Sequence, residues 1–209
     1  MNVKPLILGL AVGAALLMFY QSSPVESQGG EGEAAPDEAG GGLLDAIDSA
    51  YYSIVGIDME NKNLRAFLGM IRTAEGTAGP DGYRTLFGGT LFGSFADHPR
   101  IKITARSGGS PITSSAAGAY QIIERTWNEV AAKLGLPDFS PASQDRAAVE
   151  LIRRRGALRD VYAGRLDAAI VKCNREWASL PGSPYGQPTI STARAYQLYA
   201  AAGGEVASV

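Results

Sequence analysis

Sixteen consecutive residues near the start of the chain, 5–20 (PLILGLAVGAALLMFY), carry no charge, and a stretch of acids and glycines follows at once. That contrast confines the globular part of a 209-residue protein to what lies beyond it. The apolar run is short for a bilayer span, which takes about 20 residues, and it also suits the apolar core of a secretory signal. No small-x-small cleavage site stands just after it, so residues 1–21 read as an uncleaved signal-anchor or transmembrane segment. Lys4 precedes the run, which keeps the N-terminus cytoplasmic and sends the rest across the membrane into the periplasm. The Gly and Ala content makes the run only moderately hydrophobic, as in anchors that later leave the membrane.

Residues 22–42 hold Ser, Pro, Gly and Glu and read as a flexible acidic linker. Residues 43–57 bring Leu43, Leu44, Ile47, Tyr51, Ile54 and Val55 to helical spacing, with Gly56 as a stop. This amphipathic helix could pack on the domain, lie on a membrane or bind a partner. The rest, 58–209, is one mostly α, α+β domain. Leu64, Phe67, Leu68 and Ile71 predict a helix over 61–74; Tyr120, Ile123, Trp127 and Val130 predict one over 118–134. Ser140–Pro141 starts another that Gly156 ends, and 166–179 and 191–202 read as two more. Between the first two helices, 76–113 is rich in Gly, Thr and Pro with short β-prone pieces, TLFGGTLF and IKITA. Internal repeats are absent.

The net charge of −2 argues against nucleic acid as a partner. It averages two unlike parts. Lys4 is the only base before residue 61, so the C-terminal domain is net positive and suits an anionic polymer such as cell wall. One cysteine, Cys173, precludes an intrachain disulfide and reads as a small core residue. One Cys and one His make a zinc site a poor reading. No metal or cofactor is expected.

Cleaving a glycosidic bond requires a carboxylic acid that keeps its proton near neutral pH, and burial against apolar groups supplies one. Glu75 stands just past the apolar face of the first domain helix, where Gly76 breaks it. Position alone would leave it a solvated helix-end glutamate. The surrounding segments decide otherwise: AEGT at 74–77, GYRTLFGGTLF at 82–92, DHPR at 97–100, SSAAGAYQI at 114–122, LGLPDFSPASQD at 134–145, RRGAL at 154–158 and CNREWASLPGSPYGQ at 173–187. In type, order and spacing they resemble the phage lambda endolysin family, lysozyme-like lytic transglycosylases of bacterial peptidoglycan. The resemblance covers about 140 residues and leaves 1–57 outside.

The resemblance implies a lysozyme-like fold with a small β-containing lobe over the cleft, matching 82–113, and a catalytic Glu75. It implies Tyr83, Phe92, Ser115, Gly118, Tyr120, Gln121, Trp177, Tyr185 and Gln187 as substrate contacts. Gly118 would let backbone approach the sugar, Gln121 would bond an N-acetyl or hydroxyl group, and Tyr120 would offer a flat ring face. Trp177 could stack on sugar or pack in the core. Ala116 and Ala117 stand where the family carries more glycine. Hydrolytic lysozymes generally use two carboxylates. Asp97 is the nearest candidate for a second, and it reads as structural; His98 reads as a loop residue. With one carboxylate, Glu75 would protonate the oxygen between N-acetylmuramic acid and N-acetylglucosamine, then take the proton of the substrate's 6-hydroxyl as a 1,6-anhydro ring closes. Two alternatives stay open: a hydrolytic muramidase, and a module that grips glycan without cutting it. Two roles are compatible with the N-terminal segment: host lysis, with the segment in the bacterial inner membrane, and a virion-associated role, with the segment docked to a particle or a virion membrane.

Overall fold

The computed structural model describes residues 57–107 and 110–208. The expected anchor, the linker and the amphipathic helix over 43–56 lie outside them. Among the described residues no helix is long and apolar enough to cross a membrane. The chain divides after Asn61, and the unit beginning at Lys62 carries every element below.

Helix α1, Lys62–Ala74, forms where the apolar spacing predicts it. Leu64, Phe67, Met70 and Ile71 are fully buried, each worth roughly 1.5–3 kcal/mol by removal of its side chain from water. The helix ends in a Schellman motif: Thr77 N–H donates to the Arg72 carbonyl (2.8 Å) and Gly76 N–H to that of Thr73 (3.1 Å). This closure needs a residue in the left-handed region, and Gly76 has φ 75°.

The chain then builds the small lobe. A single 3-10 turn, Gly82–Arg84, leads to β1, Ile103–Ser107, and β2, Ser110–Ser114, which pair antiparallel with Ile103 opposite Ser114. The lobe has its own small core of Phe87 and Ala116, against which Ile103, Ala105, Ile112 and Ile123 pack. TLFGGTLF is no full strand; it folds back on itself through a bridge between Thr85 and Leu91.

The helices that follow are α2, Glu124–Leu134; α3, Pro141–Arg154; α4, Leu158–Tyr162; α5, Leu166–Cys173; and α6, Thr192–Ala201. Helix α1 packs against α6 and α4, α2 against α3, and α4 against α5. Ser140 caps α3 by accepting from Ser143 N–H, with Pro141 in the first turn. Phe139 joins the lobe to the helices. Its ring meets Trp127 at 4.7 Å, His98 at 4.9 Å and Phe92 at 5.8 Å between centroids.

Two helix expectations change, and one short helix is unexpected. The helix expected over 118–134 starts only at Glu124. Residues 117–122 instead close a tight turn, with Ala117 and Ile122 exchanging both backbone hydrogen bonds at 3.0 Å and with Gly118 and Gln121 at φ 76° and 47°. The helix expected over 166–179 stops at Cys173. Helix α4, five residues long, is too short to show a period. Cys173 is buried, and burial pushes its thiol up to about 12, so it is a packing residue rather than a nucleophile.

Candidate active site

Glu75 is the residue after α1, and the rigid helix end sets its direction. It is 3% exposed. Its Oε1 accepts a 2.5 Å hydrogen bond from Ser179 Oγ, while its Oε2 is buried with no hydrogen-bond partner. Burial pushes the carboxyl up to about 8 from an ordinary 4.5, and the Ser179 hydrogen bond pulls part of the way back. At neutral pH Glu75 therefore holds its proton. With Oε1 accepting from Ser179, the proton is left to Oε2, which has no partner to receive it.

The turn 117–122 is locked beside it. Thr77, two residues after Glu75, places its hydroxyl 2.5 Å from the Ala119 carbonyl oxygen and 3.0 Å from that of Arg72. Gln144 of α3, fully buried, accepts from Ala119 N–H (2.8 Å) and donates to the carbonyls of Tyr83 (3.0 Å) and Phe139 (2.7 Å). One side chain thus ties the turn, the 3-10 segment and α3 together.

This reassigns several residues expected to meet substrate. Gly118 makes room for protein, not sugar: a Cβ there would lie 2.1 Å from Gln144 Oε1. Tyr120 is only 2% exposed, and its hydroxyl donates to Asp145 Oδ1 at 2.6 Å, so its ring face is packed inside. Tyr83, half-buried, donates to the same oxygen at 2.8 Å, and the Arg72 guanidinium stacks 4.5 Å over its ring. Trp177 is 3% exposed and its indole N–H donates to the Tyr120 carbonyl (3.2 Å), which is the core-packing alternative. Phe92 is buried beside Phe95 and Phe139. Ser115 Oγ accepts from Glu124 N–H at 3.1 Å, at the first turn of α2.

Gln121 is also committed inward, donating from Nε2 to the carbonyls of Gly118 (3.0 Å) and Thr85 (3.1 Å). Tyr185 and Gln187 are half-buried in the loop before α6, and Tyr185 Oη donates to the Arg175 carbonyl at 3.1 Å. Asp97 accepts from Trp127 Nε1 (3.1 Å) and His98 N–H (2.6 Å) and pairs with Arg100 at 2.5 Å. Burial works upward on its carboxyl, but these bonds, Arg100 foremost, outweigh it and hold the carboxyl down. His98, buried, has Nε2 2.9 Å from the Ile122 carbonyl oxygen and Nδ1 accepting from Arg100 N–H at 3.1 Å. Burial lowers its pKa, which fits a neutral ring that donates from Nε2. Among the described residues no group of three His, Cys, Asp or Glu could hold a metal ion.

Ser179 escaped the sequence reading. It lies 104 residues from Glu75, and no spacing rule spans that distance. The only available signal was its place inside the segment 173–187.

A helical domain with a two-stranded lobe and a buried, proton-holding glutamate at the end of its first helix defines a lysozyme-like fold of the lambda type. The solved structure of bacteriophage lambda lysozyme complexed with a chitohexasaccharide superposes with a TM-score of 0.66 at 37% identity, covering 71% of this chain and 99% of that one. The family model described as Endolysin matches residues 65–206. Two curated endolysins are similar over nearly their whole lengths. That of Escherichia phage P2 is 40% identical (69% of this chain, 94% of the relative), and that of Escherichia phage lambda 38% (71% and 96%). The chain belongs to the endolysin family.

Proposed function

We propose that this endolysin cleaves the β-1,4 bond between N-acetylmuramic acid and N-acetylglucosamine in peptidoglycan by lytic transglycosylation. The observation that carries this reading is the Glu75 carboxyl: buried, holding its proton up to about pH 8, with Oε2 unbonded. Glu75 Oε2–H protonates the glycosidic oxygen and the C–O bond breaks. The resulting carboxylate then takes the proton of the substrate's 6-hydroxyl as the 1,6-anhydro ring closes. Support for a one-carboxylate mechanism comes from the commitments of two other acids. Asp97 is held by Arg100, Trp127 and His98, and Asp145 by the hydroxyls of Tyr83 and Tyr120. Neither is placed as a free nucleophile or base. That lambda lysozyme has been solved with a chitohexasaccharide supports an amino-sugar polymer as the substrate class.

The test is mass spectrometry of purified peptidoglycan digested by the full chain and by Glu75→Gln. Anhydro-muropeptides from the parent and none from the variant are expected. Products heavier by one water would replace transglycosylation with hydrolysis, and glycan binding without cleavage would replace it with a binding module. Residues 5–20 are proposed as the anchor that carries the domain across the inner membrane. Alkaline extraction of membranes from expressing cells should leave the full chain in the pellet and release a chain lacking residues 1–21.

A further inference from the structure

We infer that Ser179 is a positioning residue of the reaction: its hydroxyl holds Glu75 by Oε1, so that Oε2 is the oxygen that delivers and recovers the proton. The inference rests on the general-acid reading of Glu75.

The geometry is specific. Ser179 is 3% exposed and its Oγ lies 2.5 Å from Glu75 Oε1. It is the hydrogen-bond partner the carboxyl has, because Oε2 has none. A protonated carboxyl has one hydroxyl oxygen and one carbonyl-like oxygen. A serine hydroxyl donating to Oε1 makes that oxygen the acceptor and leaves the proton to Oε2. Without Ser179 either oxygen could carry it, and the side chain could turn about its last bond, whose torsion is broad.

Ser179 can do this because its own backbone is fixed. Its carbonyl accepts from Ile190 N–H at 2.8 Å, and its neighbours Ala178 and Leu180 are fully buried. Two residues earlier, Trp177 is tied to the Tyr120 carbonyl, and Thr77 meets the adjacent Ala119 carbonyl. The carboxyl and the hydroxyl therefore both hang from one buried framework. The bond also acts on the chemistry in both directions. Burial alone would make Glu75 a reluctant acid, and a hydrogen bond to the carboxylate favours the anion formed once the proton has left. The same bond thus eases proton donation and keeps Oε2 aimed for the return transfer.

The test uses the full chain with Ser179→Ala and Ser179→Thr, on purified peptidoglycan, with kcat and KM measured against pH. A carbon-13 titration of the Glu75 carboxyl without substrate accompanies it. Ser179→Ala should lower kcat about tenfold or more, leave KM within about twofold, and raise both the alkaline limb and the carboxyl midpoint by about one pH unit. Ser179→Thr, which keeps the hydroxyl, should restore the parental limb and midpoint. A parental midpoint near 8 that Ser179→Ala leaves in place would overturn the inference alone. A parental midpoint near the ordinary carboxylate value would overturn the general-acid reading, and the inference with it.

Discussion

Two glutamates in this protein are equally hidden from water and behave in opposite ways. Glu75, after α1, is 3% exposed, and Glu150, in α3, is 2% exposed. Glu75 has one neutral partner and is pushed up to about 8. Glu150 takes hydrogen bonds from Lys133 (2.6 Å), Arg153 (2.6 and 2.9 Å) and Arg154 (3.2 Å). Burial pushes its carboxyl upward too, but Arg153, Lys133 and Arg154 overcome that and hold it at about 2. Burial therefore does not by itself keep a carboxyl protonated. The partners decide, and Glu75 is distinguished by the cations it lacks.

The two sites couple to pH with opposite sign. Glu75 has a folded pKa above its unfolded one, so its contribution to stability is complete below about 4.5 and is lost as pH rises through about 8. Glu150 has a depressed folded pKa, so its contribution is present above about 4.5 and is lost as pH falls through about 2.

The sharpest break of this comparison is chemical. Glu75→Gln should lose about 10³-fold or more in peptidoglycan cleavage, within the range typical for a general acid. The Glu150→Gln variant should cleave at the parental rate per folded molecule, as initial rates would show. Next in size is stability at neutral pH. Glu150→Gln strands three cations around a buried site and should cost about 3 kcal/mol, the low end for a broken buried pair because those cations are partly exposed. Denaturant midpoints at pH 7 would measure it.

A smaller effect of the opposite sign follows for Glu75→Gln, which removes a carboxyl that must be kept protonated. It should stabilise the fold on the order of 2 kcal/mol at pH 6 and little at pH 4, as thermal unfolding at both values would show. A variant no more stable at pH 6 than the parent would contradict the raised pKa. Smallest is Lys133→Ala. Its side chain is 41% exposed and two arginines remain on Glu150, so about 0.5 kcal/mol is expected after screening by water and salt.

Much of the helical frame could be read locally. The spacing of Leu64, Phe67 and Ile71 with Gly76 after it marks α1 and its end, and Ser140–Pro141 marks the start of α3. The turn at 117–122 could not be read this way, because the residues around it keep helical spacing. Its conformation is settled by Leu86 and Ile122 pairing with Ala117 and by Gln144 reaching in from α3. The same limit explains why residues expected to meet substrate turned inward. Tyr120 and Trp177 are amphipathic side chains that serve a cleft or a core equally well, and sequence does not say which way they face.

The order of residues alone puts a glutamate at the end of an apolar helix, just before a glycine able to turn the chain away. Those are properties of contiguous residues, decided by side-chain period and by the φ that glycine permits. That this glutamate keeps its proton at neutral pH is a property of the assembled fold. Its pKa depends on how completely water is excluded and on Ser179, 104 residues distant. Desolvation and hydrogen bonding act through space, so they exist only once α1, the 117–122 turn and the segment before α6 have come together.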